Sequence, residues 1–116
     1  MDNRKQFFQA VFDYGIELLG EDDEAIKIKY YSSNLHSADI TAIREDEERT
    51  YHRINYTHIG KAIEKILNPE YQIDVDEDNF KSIAWAYYNY DDSLLESESV
   101  NIIFQIILYG EILYPV

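Results

Sequence analysis

The spacing of apolar residues changes along this chain, and that change constrains the fold more than any other feature. Between residues 3 and 19 the apolar side chains include Phe7, Phe8, Val11, Tyr14, Ile16, Leu18 and Leu19. They recur mostly at intervals of three and four residues, which is the periodicity of an amphipathic helix. Residues 25–30 instead alternate apolar and polar side chains, as a half-buried strand does. Both periods together predict a domain that mixes helices with a sheet.

The middle of the chain predicts further elements of both kinds. Residues 38–44 suit a partner strand for the first, and the acidic residues 45–48 form either a hairpin tip or the start of a basic segment at 49–53. Thr57 is a candidate N-cap for a helix that ends at residue 67, because the next two residues are Asn-Pro. Residues 71–75 resemble a short strand, and residues 80–90 a helix preceded by acidic residues that favour its positive dipole end.

The last apolar stretch, Val100 to Leu108, fits two structures. Its β-branched residues favour a strand, whereas Asn101 and Gln105 are four apart and would form one polar stripe on a helix. We expect the helix, with Ser97 or Ser99 as its cap. The fold class predicted for the chain is α+β: one small domain over residues 1–116, with three or four helices and a small antiparallel sheet.

Composition excludes several classes of function. The net charge of −13 argues against direct binding to nucleic acid or to an anionic membrane, which both need a basic surface. The apolar share of 46% excludes a disordered acidic tail. The absence of cysteine excludes disulfides and thiolate chemistry. With no signal peptide and no apolar run long enough to span a bilayer, we expect a cytoplasmic protein.

Motifs for catalysis or metal binding are weak. His36, His52 and His58 have no metal-ligand spacing, and no phosphate-binding loop or nucleophile–base constellation is present. Asp74-x-Asp76-x-Asp78 begins like a calcium loop, but Asn79 and Trp85 stand where that loop needs glycine and glutamate. We therefore expect no metal, no cofactor and no enzymatic activity.

The acidic residues are unevenly distributed. Nine acids and one base, Lys81, lie between Glu70 and Glu98, so this segment carries 9 − 1 = 8 of the net negative charges. Like charges placed together destabilise a compact state, which suggests a binding role, although solvated acidic loops and helix starts explain the cluster equally well. The candidate partner-binding residues are Asp74, Asp76, Glu77, Asp78, Asp91, Asp92, Glu96 and Glu98, with a second cluster at Glu45, Asp46, Glu47 and Glu48.

The density of these charges is comparable to that of DNA. A domain of this length is about 35 Å across, and duplex DNA carries about 20 phosphates over that distance. If Asp74, Asp76 and Asp78 lie on an extended segment, they share one face about 6.6 Å apart. If they lie on a helix, acids three or four apart are about 5–6 Å from each other. Either arrangement imitates a row of phosphates.

Aromatic residues lie beside the second acidic pair of this segment. Trp85, Tyr87, Tyr88 and Tyr90 come just before Asp91-Asp92, and aromatic groups beside charge are typical of interface hot spots. The helical spacing of Trp85 and Tyr88 favours a different interpretation, in which both rings belong to the core.

The chain resembles the small neisserial DNA-mimic proteins, a class with a monomeric member that binds the histone-like protein HU. The likeness is in length, acidity, lack of cysteine and the clusters at residues 21–24, 45–48 and 74–78. It implies a small monomer whose acidic face occupies the DNA-binding surface of an HU-like protein and competes with DNA. The alternative is an immunity or antitoxin protein that neutralises a basic nuclease, because steered association explains the charge equally well.

Overall fold

The α+β prediction is confirmed by the computed structural model, which describes residues 3–20, 25–43 and 48–114. These residues form four α-helices and one three-stranded antiparallel sheet in a single compact unit. The helices are α1 (Asn3–Leu19), α2 (Thr57–Leu67), α3 (Glu77–Asn89) and α4 (Ser97–Tyr109). The strands are β1 (Ile26–Ser32), β2 (Ser37–Ile43) and β3 (Arg49–Asn55). Principal extents of 36 × 33 × 23 Å agree with the size expected from chain length.

The sheet has the strand order β1-β2-β3, and both pairings are antiparallel. Ile28, Ile40 and His52 share one row across it, and the register of β1 shifts between Ile28 and Tyr30. The first two strands follow the prediction, although β1 continues to Ser32. β3 was not predicted, because its basic and polar residues hide the alternation that marks a strand.

α4 is the centre of the core and packs against the other three helices. The Phe104 ring lies 6.0 Å from the Phe12 ring of α1, measured between centroids. It comes so close to the α1 backbone that a Cβ atom at Gly15 would overlap it. The last apolar stretch is a helix, as predicted. Nearly every face of this helix is buried, which accounts for its high content of apolar residues.

The C-terminal segment is held by a side chain of α4. Gln105 is buried, and its Oε1 accepts hydrogen bonds from the backbone N–H groups of Leu113 and Tyr114, both at 2.9 Å. Its Nε2 donates to the Tyr114 carbonyl at 2.8 Å, and the Tyr114 hydroxyl donates to the Ile43 carbonyl at 2.7 Å. The polar stripe seen in the sequence thus ties the segment after α4 to the end of β2.

Asp13 links α1 to the β1–β2 hairpin. Its carboxylate accepts a hydrogen bond from the Tyr31 hydroxyl at 2.8 Å and lies 2.7 Å from Nδ1 of His36. Burial, followed by the hydrogen bond to Asp13 and the charge of that carboxylate, raises the pKa of Tyr31 to about 12. The Tyr31 phenol therefore stays neutral across the physiological range.

The short strand predicted for residues 71–75 is wrong. Pro69–Tyr71 forms a 3-10 turn instead, and the Asn68 side chain caps it by accepting from the Glu70 N–H at 3.0 Å. Gln72 then adopts a left-handed conformation with φ of 52°, which an extended strand does not allow. The side-chain cap of Asn68 and the fixed φ of Pro69 determine the conformation of this segment.

Three helix starts differ from the predictions. α3 begins at Glu77, three residues before the predicted Phe80, because Asp76 caps it. The N-cap of α2 is Tyr56 rather than Thr57, and that of α4 is Glu96 rather than either predicted serine. Within the described ranges, no helix is both long and apolar enough to cross a bilayer.

Candidate partner-binding surface

The first turn of α3 carries acids that its own backbone stabilises. The Asp76 carboxylate accepts hydrogen bonds from the backbone N–H of Asn79 at 3.2 Å and from its side-chain Nδ2 at 2.8 Å. These bonds hold the pKa of Asp76 below its usual value. Glu77 and Asp78 follow in the first turn, where the helix dipole favours negative charge. The positive end of α3 therefore partly offsets the repulsion among these three carboxylates.

A buried hydrogen bond joins the first turn of α4 to that of α3. Ser99 Oγ donates to Asn79 Oδ1 at 2.7 Å, and Asn79 Nδ2 lies 3.5 Å from Oε2 of Glu98. The amide of Asn79 thus contacts Asp76 on one side and Glu98 on the other. Two helix N-termini, each with its own acids, meet at this point.

The segment between the two helices returns along the side of α3. The Asp91 N–H donates to the Ala86 carbonyl at 3.0 Å, and Ser82 Oγ donates to the Leu94 carbonyl at 2.9 Å. The Glu96 N–H also donates to Ser82 Oγ, at 3.4 Å. Ser82 is one helical turn closer to the start of α3 than Ala86 is. The acids of this return segment therefore lie beside α3 rather than apart from it.

These contacts place the first group of sequence-predicted acids on one connected region, here called the acidic surface. All of its acidic side chains are exposed. They are Asp74, Asp76, Glu77, Asp78, Asp91, Asp92, Glu96 and Glu98. Lys81 lies among them, and its Nζ is 3.0 Å from a carboxylate oxygen of Glu77. The region therefore presents carboxylates to solvent with little opposite charge.

The acids at 74, 76 and 78 do not form an extended row. Asp74 precedes the helix, Asp76 is its cap and Asp78 lies in its first turn. Residues 72–76 pair with no strand among the described residues. Neither the extended nor the helical arrangement considered from the sequence holds for all three acids, because only Asp78 lies within the helix.

The second predicted cluster is only partly described. Glu45, Asp46 and Glu47 lie outside the described residues, and Glu48 is exposed just before β3. The hydrogen bond from Tyr114 to Ile43 places that end of the sheet beside the segment that follows α4.

Trp85 and Tyr88 lie on the exposed face of α3, so the prediction that they belong to the core is wrong. Their side chains are 61% and 70% exposed, respectively. α3 packs through smaller residues, Ser82, Ile83 and Ala86, on its opposite face. Helical spacing showed that the two aromatic residues share a side but not which side faces the core.

The outer face of the sheet has the opposite charge. Its strands contain four basic residues and one acid, Asp39. The basic residues are Lys27, Lys29, Arg49 and Arg53, and all are exposed. Arg53 Nε lies 3.0 Å from Oδ1 of Asp39, an exposed pair that contributes little to stability. Positive charge is thus collected on the sheet and negative charge on α3 and α4.

Comparison with known proteins identifies no relative. No family model matches the sequence, and neither the curated proteins nor the solved structures contain a significant match. The functional interpretation therefore depends on the chemistry of the acidic surface.

Proposed function

We propose that this protein is a DNA mimic. Its acidic surface occupies the DNA-binding site of a basic, HU-like DNA-binding protein and competes with DNA for it. The observation that carries this proposal is the gathering of six exposed carboxylates around the paired N-termini of α3 and α4, with Lys81 paired to one of them, and two more, Asp91 and Asp92, on the segment that joins the two helices. The protein acts as a binding partner, as a monomer and in the cytoplasm, and it needs no cofactor.

Rigidity of the acidic surface supports this proposal. Asp76 caps α3, and the Asp91 carboxylate accepts from the Ser93 N–H at 3.0 Å and from its hydroxyl at 2.6 Å. The buried Ser99–Asn79 bond fixes the two helices that carry the other acids. Carboxylates held in this way lose less conformational entropy on binding than those of a flexible acidic tail.

Charge density supports it as well. The longest extent of the protein is 36 Å, and duplex DNA of that length carries about 21 phosphates. The chain contains 23 acidic residues. A carboxylate array releases fewer condensed counterions than DNA does, so the complex should be moderate in affinity and reversible.

The test is displacement of labelled duplex DNA from purified HU, followed by fluorescence anisotropy. The protein is titrated at low salt and at about 0.15 M, where the Debye length is about 8 Å and diffuse attraction weakens. We expect DNA release at both salt concentrations. The binding variant is D78K/D92K/E96K, which keeps the capping carboxylates of Asp76 and Asp91.

A matched control carries the same change in charge elsewhere. The variant E17K/E70K/E111K replaces three exposed acids outside the acidic surface. We expect the control to release DNA and the binding variant to fail, with both folded by circular dichroism. An equal loss of DNA release in both variants would show that the net charge of the protein, and not the position of its acids, displaces the DNA. No release by the native protein would exclude HU, and a tight stoichiometric complex with a basic nuclease would then favour the immunity alternative.

A further inference from the structure

The exposed face of α3 combines aromatic rings with the acidic surface. Glu77, Lys81, Trp85 and Tyr88 follow intervals of four, four and three residues, so they form one stripe along the helix. Both rings at the C-terminal end of this stripe are more than half exposed. No described element covers them. An exposed tryptophan and tyrosine one turn apart favour an interface over a solvated surface.

Contacts with the rest of the domain support the Tyr88 ring and the backbone of Trp85. Tyr87 lies between the core and the stripe, with its ring centroid 6.3 Å from that of Phe8 and 5.5 Å from that of Tyr88. Asn89 Nδ2 donates to the Trp85 carbonyl at 2.8 Å, which secures the last turn of α3. The Tyr88 ring and the backbone at Trp85 are therefore supported from within the domain and need less ordering when a partner binds.

The charges that border the rings determine what can bind them. Glu77 and Asp78 lie toward one end of the stripe, and Asp91 and Asp92 follow its other end. Lys81, the one base between residues 70 and 116, is already paired with Glu77. Arg4, the base beside Tyr87, is likewise paired with Glu64, so these charges favour a cationic partner group over Trp85.

Arginine fits this site better than lysine does. Its planar guanidinium stacks on an aromatic face, is weakly hydrated and donates to two carboxylate oxygens at once. A lysine ammonium is a strongly hydrated point charge that gains less from the ring. We propose that the exposed rings of Trp85 and Tyr88 are a stacking site for arginine side chains of a basic protein partner. This inference rests on the proposed function and specifies the chemistry of its partner.

The test compares two blocked peptides of equal length and charge. In one, glycine alternates with arginine, and in the other with lysine. Labelled peptides are titrated with the full-length protein and followed by anisotropy, while Trp85, the single tryptophan, reports contact through its own emission. We expect the arginine peptide to bind about threefold to tenfold more tightly, in line with a cation–π contribution. Equal affinities would overturn the inference.

The variant W85A is expected to remove this preference while leaving residual electrostatic binding of both peptides. The control is Y51A. Tyr51 lies in β3, outside the acidic surface, and is 63% exposed. We expect Y51A to keep the arginine preference, because its ring lies on the basic face. A preference that survives in W85A, or that disappears in Y51A, would overturn the proposed site.

The two proposals fail in different ways. If the arginine preference depends on Trp85 but HU keeps its DNA, the stacking site stands and HU is excluded as the partner. If DNA is displaced from HU but the arginine preference is absent or survives in W85A, the mimic stands and the stacking site is excluded.

Discussion

Ser99 donates a hydrogen bond to Asn79 at 2.7 Å between two side chains that are 0% and 4% exposed. This contact lies directly beneath the carboxylates of Asp76 and Glu98. Buried polar groups are costly unless they are paired, so the two residues hold each other in place as well as the helices that carry them. The arrangement of the acidic surface thus depends on a neutral pair that solvent hardly reaches.

Ser99→Ala should destabilise the protein by about 1–2 kcal/mol, because it leaves Asn79 Oδ1 buried without this donor. The measurement is urea unfolding followed by circular dichroism. Ser97→Ala is the control, since Ser97 is exposed in the same helical turn. It should change stability by less than about 0.5 kcal/mol. Similar losses in both variants would show that the Asn79 contact does not account for the effect.

Gln105→Leu should destabilise the protein by about 2 kcal/mol, despite the larger apolar surface that it buries. It removes the acceptor of the Leu113 and Tyr114 N–H groups and the donor to the Tyr114 carbonyl. Hydrogen exchange at the two amides, measured by NMR, should become faster in the variant. Unchanged protection would show that packing, not the Gln105 amide, holds the C-terminal segment.

Gly15→Ala should destabilise the protein even though alanine favours a helix over glycine by about 1 kcal/mol. The new methyl group would overlap the Phe104 ring, and such overpacking typically costs about 1–3 kcal/mol. Thermal unfolding of Gly15→Ala, Phe104→Leu and the double variant measures the coupling between the two sites. We expect the double variant to lose less stability than the two single losses added together. Simple additivity would contradict the steric explanation.

Asp13→Asn should lower the pKa of Tyr31 from about 12 toward the ordinary value of about 10. The hydrogen bond and the negative charge that favour the neutral phenol both depend on this carboxylate. Because the folded-state pKa is raised, the stabilisation is complete below pH of about 10 and is lost as the pH rises toward about 12. NMR titration with ring-labelled tyrosine measures the shift, and an unchanged Tyr31 titration would show that burial alone sets it.

Much of the fold follows from local patterns. α1 has the predicted bounds of 3–19, and α2 ends at residue 67 as predicted, because each contains an apolar stripe and an Asn-Pro pair follows α2. β3 was missed because its pairing with β2, rather than its own alternation, makes it a strand. Residues 71–75 were assigned wrongly because side-chain capping by Asn68 overrides a weak β pattern.

The acids of the acidic surface could be predicted from the sequence, but the buried residues that hold them in place could not. The clustering of acids after residue 70 is visible in the sequence, and the structure brings its members to one region. Asn79 and Ser99 carry no such signal, because an isolated Asn or Ser looks like any surface residue until its burial is known. The exposure of Trp85 was likewise hidden, since periodicity defines a helix face without saying whether the core or the solvent lies beside it.

The separation of basic residues on the outer sheet from acids on α3 and α4 has a consequence for diffusion. A body whose positive and negative charges lie in different regions experiences a torque in the field of a charged neighbour. As a cationic surface approaches, it turns the helices toward itself and the strands away before any contact forms. A larger fraction of collisions then begins in the productive orientation, and this gain shrinks as salt shortens the reach of the field.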